Sequence, residues 1–206
     1  DPGCAQARDI TTLVKALCKG AAHQPAMLAL LAPLAHGAAI CDDTMDRTAP
    51  SARFLDHGNG TVTDQHTGLT WMRCKLGQTW NGSSCLGEPT VYYWQQGLQV
   101  AERIRSDSSH ALYHFGGISQ WRLPDIKELA TLVEHACYKP SLNEAIFPRA
   151  MAGGGKEVNE GYVYLMSSTV TSANGQRAYL DITSGDIGLR AIGAYPDQVL
   201  LVANKP

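Results

Sequence analysis

Apolar positions along the chain recur with two different periods. Between residues 54 and 72 they alternate with polar ones, as in Phe54-Leu55-Asp56, Thr61-Val62-Thr63-Asp64 and Leu69-Thr70-Trp71-Met72. The alternation breaks at Asn59-Gly60, a pair that tolerates positive φ at both turn positions, and again at residues 65–68. This predicts a hairpin and then a third strand, a small β-meander. From residue 91 to 105 the period changes: Trp94, Leu98, Ala101 and Ile104 recur at helical spacing, with Thr90 placed to cap the first turn. A second helix follows Trp121-Arg122-Leu123-Pro124, with Asp125 as its cap and Glu128 at the capping-box position. Its apolar face is Ile126, Leu129, Ala130 and Val133. Residues 75–90 and 106–119 are loops. A Gly-rich stretch at 152–161 is expected as a mobile surface loop. Strand-like runs return at 162–166, 178–182, 189–192 and 199–202, with turns at Asn174-Gly175 and Ser184-Gly185. Antiparallel strands before and after two helices predict an α+β fold.

The first forty residues follow another pattern. Lys15 and Lys19 precede a short apolar run at residues 26–35, and the small residues Gly37, Ala38 and Ala39 follow it. A basic flank, an apolar core and a small-residue exit predict a secretory leader over residues 1–39, with a mature start near Ile40. The competing reading is an N-terminal helix carrying Leu13, Val14 and Leu17. Residues 40–206 are then one domain.

Of the six cysteines, Cys4 and Cys18 fall in the leader and Cys41, Cys74, Cys85 and Cys137 remain. Four cysteines allow three pairings. Cys74 and Cys85 flank a short Gly/Asn/Ser-rich loop that closes cheaply, so they are paired first, leaving Cys41 for Cys137. Zinc would need CxxC-type spacing, which does not occur here. An even cysteine count behind an export signal predicts bridges and a secreted, periplasmic or cell-surface protein.

Composition narrows the function classes. The 206 residues are 44% hydrophobic and 17% charged, with a net charge of -2. That offers no basic surplus for nucleic acid. No P-loop, GxSxG or GxGxxG motif occurs. His110 and His114 have ligand spacing but lie in a Ser/Gly loop without the Glu of HExxH, so no metal or cofactor is expected. Asp56, Asn59 and Asp64 mark turns rather than a calcium loop, because Gly58 and Gly60 occupy positions where oxygen ligands are needed. Trp71, Trp94 and Trp121 are expected in the core. Trp80, in the bridged loop, either stacks on a ligand or covers the bridge. Arg122 is expected to pair with Glu128 or Glu134.

Several motifs in order resemble the Lcl C-terminal domain family. Gly58-Asn59-Gly60-Thr61-Val62-Thr63-Asp64…Thr67-Gly68-Leu69…Trp71 is similar to the family's opening. Trp121-Arg122-Leu123-Pro124…Lys127-Glu128-Leu129 is similar to its central motif, and Cys137-Tyr138…Pro140, Phe147-Pro148 and Ser167-Ser168-Thr169 follow in family order. Leu165-Met166 stand where the family often has a Trp before the Ser pair. The resemblance implies a C-type-lectin-like fold in which Trp71, Trp121, Arg122, Pro124, Asp125 and Glu128 form the structural motif. It also implies an exported bacterial protein, with adhesion to sulfated polysaccharides and trimerisation as properties of some members. The expectation is therefore a non-enzymatic recognition domain for a glycan or extracellular polymer. Trp80, Asn81 and Tyr92 are its candidate sugar contacts, and Lys75, Arg103 and Arg105 its candidate partners for anionic groups. The alternative is an assembly domain of a pilus or envelope complex without a small ligand. An enzyme on a lectin-like scaffold is the third reading.

Overall fold

The structure, a computed structural model, describes residues 38–154, 162–171 and 175–204. The leader expected over residues 1–39 lies outside these apart from residues 38 and 39, as do Cys4, Cys18, Asn174 and residues 155–161 of the Gly-rich stretch. In chain order the elements are β1 (Ile40–Cys41), β2 (Phe54–Asp56), β3 (Thr61–Asp64), β4 (Thr70–Met72), β5 (Thr79–Trp80), β6 (Cys85–Leu86), β7 (Val91–Tyr92), α1 (Trp94–Ser106), α2 (Ile126–Ala130), β8 (Cys137–Tyr138), β9 (Tyr164–Thr171), β10 (Gln176–Asp181), β11 (Ile187–Ala191), β12 (Asp197–Gln198) and β13 (Val202–Ala203). No described helix is long and apolar enough to cross a membrane.

The meander forms as its pattern predicts: β2, β3 and β4 pair antiparallel in sequence and β13 adds to β4, giving the order β13-β4-β3-β2. A second sheet has the order β11-β10-β9-β12-β7. Its β12–β9 pair is parallel, so the second sheet is mixed rather than wholly antiparallel. Two small ladders, β1–β8 and β5–β6, each sit beside a disulfide or contain one: Cys41–Cys137 pairs across the first, and Cys74–Cys85 holds the second. Both bridges are the expected pairs, the short one from cheap loop closure and the long one as the pair that remained.

The run at 199–202 departs from expectation. It is not one strand but an extended link from β12 to β13, with Val199 O accepting from Leu76 N at 2.9 Å and Leu201 O accepting from Met72 N at 3.1 Å. Successive side chains point to opposite sides. Leu200 and Val202 therefore enter one core with Trp71, Leu129, Phe147, Leu165 and Leu180, whereas Val199, Leu201 and Ala203 enter another with Met72, Val100, Ile104, Trp121 and Met166. A segment buried on both faces reads as a continuous apolar run, which explains the absence of alternation.

Helix α1 also differs at its start. Residues 91 and 92 pair with β12, so the helix begins at Trp94 and Tyr93, not Thr90, is its N-cap. The Gln96 carboxamide oxygen accepts from Tyr93 N at 3.0 Å, while Thr90 N donates to Leu76 O. The buried stripe is Gly97, Val100, Ala101 and Ile104, and Leu98 is exposed. The stripe turns about one residue from the expected line because Gly97 admits Met166: a Cβ there would lie 2.3 Å from the Met166 sulfur. Helix α2 is short but capped as expected. Asp125 Oδ1 accepts from Glu128 N and Glu128 Oε2 accepts from Asp125 N, both at 2.8 Å.

Candidate functional site

The expected ligand residues divide among three places. Trp80 and Asn81 occupy the β5–β6 hairpin, so the region from residue 75 to 90 is a bridged hairpin rather than an open loop. The Arg73 guanidinium lies 4.3 Å from the Trp80 ring centroid, and a Cβ on Gly60 would stand 2.9 Å from Trp80 Cγ. The indole therefore packs between Arg73 and the first turn. Asn81 Oδ1 accepts from Ser83 N at 3.0 Å and Ser84 N at 2.8 Å, so the carboxamide shapes the hairpin tip. Lys75 is not a surface cation. It is buried, and its Nζ donates to Ala150 O at 2.6 Å and Ala152 O at 3.1 Å. Burial pushes its amine down to about 7. Ala152 is itself buried, so the Gly-rich stretch begins inside the fold, not as a surface loop.

Tyr92 and Arg103 do come together. The edge strand β7 and the outer flank of α1 enclose an open groove of about 690 Å³ lined by Val91, Tyr92, Gln96, Gln99, Glu102 and Arg103. Tyr92 packs its body against the second core and turns its edge to the groove. Arg103 and Arg105 stand in the last turn of α1, where the helix dipole favours cations.

A cluster not anticipated from the sequence lies on the same sheet, across β9, β10, β11 and β12. Tyr92 is the cross-strand partner of Asp197 and shares its face of the sheet. Asp197 is fully buried and binds two guanidiniums: Arg177 Nη1, and Arg190 Nη1 at 2.9 Å. Arg177 also donates to Tyr195 O at 2.8 Å. Burial pushes the Asp197 carboxyl up, and the two arginines oppose that. The Arg190 guanidinium stacks 3.7 Å from the Tyr179 ring centroid and 4.5 Å from that of Tyr164, with Tyr195 at 5.8 Å. Gly188 makes room: a Cβ there would meet the Tyr179 ring at 2.2 Å. The signal was present as period two, since Arg177 and Tyr179 lie two apart and Tyr162 and Tyr164 likewise. Which of them stack depends on strand register.

The central motif is held by internal bonds. Trp121 is buried, and its indole N–H donates to Phe115 O at 3.0 Å. Trp71 is buried too, while Trp94 is half-buried. Arg122 pairs with Glu128 through both terminal nitrogens, at 2.8 and 2.7 Å, and also reaches Asn204 at 2.8 Å. The Arg122 bond holds the Glu128 carboxyl below its usual range. Glu134 instead accepts from the backbone of Thr48, Ala49 and Ala136. The Asp56 turn binds itself and Arg73, with Asp56 Oδ1 accepting from Gly58 N and Oδ2 from Arg73 Nη1. His110 and His114 share no helix, and His114 adopts a left-handed φ of 53°. No three His, Cys, Asp or Glu side chains converge among the described residues.

Against known families, the family model that matches is the Lcl C-terminal domain, over residues 60–202. No curated protein and no solved structure matches the chain.

Proposed function

This chain belongs to the Lcl C-terminal domain family, and from that premise we propose a non-catalytic recognition domain that binds a polymeric glycan outside the cytoplasm. The observation that carries the reading is the groove between β7 and α1, where Tyr92 stands with Gln96, Gln99 and Arg103. Sugar rings have apolar faces and polar rims. The Tyr92 ring matches the first, and the amides and guanidinium of Gln96, Gln99 and Arg103 match the second. Two disulfides support an oxidising compartment. The two helices, the antiparallel meander and the mixed sheet support a C-type-lectin-like scaffold.

A glycan array together with titration of dextran and alginate tests this. Binding is expected, and Tyr92→Ala should weaken it at least about tenfold, or about 1.4 kcal/mol. Silence across the array and both polymers would overturn the reading. The second reading, an assembly domain, is favoured by the outer strand β11, where Ile187 and Leu189 are each 53% exposed on a sheet edge. Association with an envelope protein that Leu189→Lys abolishes, without glycan binding, would establish it instead.

A further inference from the structure

The C-terminal end of α1 borders a second groove, of about 350 Å³, on the other side of the helix end from Tyr92. Its walls include Arg105 from α1, Ser119, Gln120 and Arg122 from the segment before α2, and Asn204 after β13, with Trp121 beneath them. Arg122 is held in place by Glu128 and Asn204, and Trp121 by its bond to Phe115 O, so this wall is preorganised. The two grooves share a boundary. Glu102 lines the first and Arg105 the second, and these two side chains form an ion pair between them. Both are about half exposed, at 56% and 47%, so the pair is weak and screened and opens to a competing polar group. Gln96 to Arg105 is nine steps along the helix, about 13.5 Å along its axis at the usual rise. That length exceeds one sugar ring.

We propose that the two grooves are subsites for one extended glycan chain, which crosses α1 over the Glu102–Arg105 pair. The domain then recognises internal stretches of a polymer rather than a terminal sugar. This rests on the glycan reading above. Each groove alone is open and meets only a short stretch of a chain. Occupying both with one molecule makes the second contact intramolecular, so affinity rises with chain length until both grooves are filled. Arg105 contributes in two ways. It lines the second groove, and it neutralises Glu102, whose charge otherwise repels an acidic chain.

Size-fractionated dextran and alginate oligomers, from dimer to decamer, test the inference by calorimetric titration of the disulfide-intact protein. Affinity should rise at least about tenfold from dimer to octamer and then level off. Arg105→Ala should bring the octamer close to the dimer, with a larger loss for alginate than for dextran because Glu102 is left unpaired. Glu102→Gln, which frees Arg105, should tighten the alginate octamer. Tyr92→Ala should weaken every length. Equal affinity at all lengths, with Arg105→Ala silent, would overturn the two-groove inference and leave the glycan reading standing. Failure of every oligomer and of the array would overturn both.

Discussion

The Lys75 ammonium group is buried and hydrogen-bonded to the carbonyls of Ala150 and Ala152. Desolvation is the largest influence on it, Glu88 opposes the shift and Arg149 adds to it, and the amine falls from 10.5 to about 7. The sign of the consequence follows from proton counting. Between about pH 7 and 10.5 the unfolded chain holds a proton that the native state has released, so stability rises with pH across that window. From pH 7 to 9 this group contributes about 2 kcal/mol of that rise. Lys75→Met should remove the contribution, and urea unfolding at the two pH values checks it. An identical pH slope in the variant would show that Lys75 does not titrate there. The identity of Lys75 as a cation was legible in the sequence. Its burial was not, because the Ala150–Ala152 turn that encloses it is more than seventy residues away.

At the scale of elements, local signals located the helices while packing set their limits. Helix α2 has five residues, too few to persist without its cap and its tertiary contacts. Asp125→Ala should cost about 0.5–2 kcal/mol, read by chemical denaturation, because it leaves the Glu128 N–H without its acceptor. A change near zero would mean that the Arg122–Glu128 pair alone holds the turn. The capping box was visible because it joins residues three apart. The start of α1 was not, because residues 91 and 92 are claimed by a strand more than one hundred residues later. The same distance hid the site: Tyr92 was a candidate, but its cross-strand partner Asp197, and the Arg190 that binds that carboxylate, lie more than ninety residues later.

For the whole molecule the two bridges restrain the unfolded chain very differently. Cys41–Cys137 spans 96 positions and Cys74–Cys85 spans 11. On loop-closure entropy the first is worth about 4.7 kcal/mol and the second about 2.8 kcal/mol. Replacing each pair with Ala should therefore lower the urea midpoint more for Cys41/Cys137. A larger loss for Cys74/Cys85 would show that the buried packing of Cys85 outweighs chain entropy. Non-reducing peptide mapping should recover both pairs and no cross-link between them.

The amino-acid order alone specifies local features. It specified the meander, since Asn59-Gly60 and the alternation around it act within a few residues. It specified the α2 cap and the cheap closure of Cys74 onto Cys85. The motif order also placed the chain in its family, which the matching family model bears out over residues 60–202. Tertiary structure alone decided which charges are buried, which glutamate Arg122 takes, that residues 199–201 serve two cores, and that Tyr164, Tyr179 and Arg190 form one stack. Each of these depends on strand register between distant segments, and a shift of one residue in a strand exchanges its faces. No local pattern carries that information.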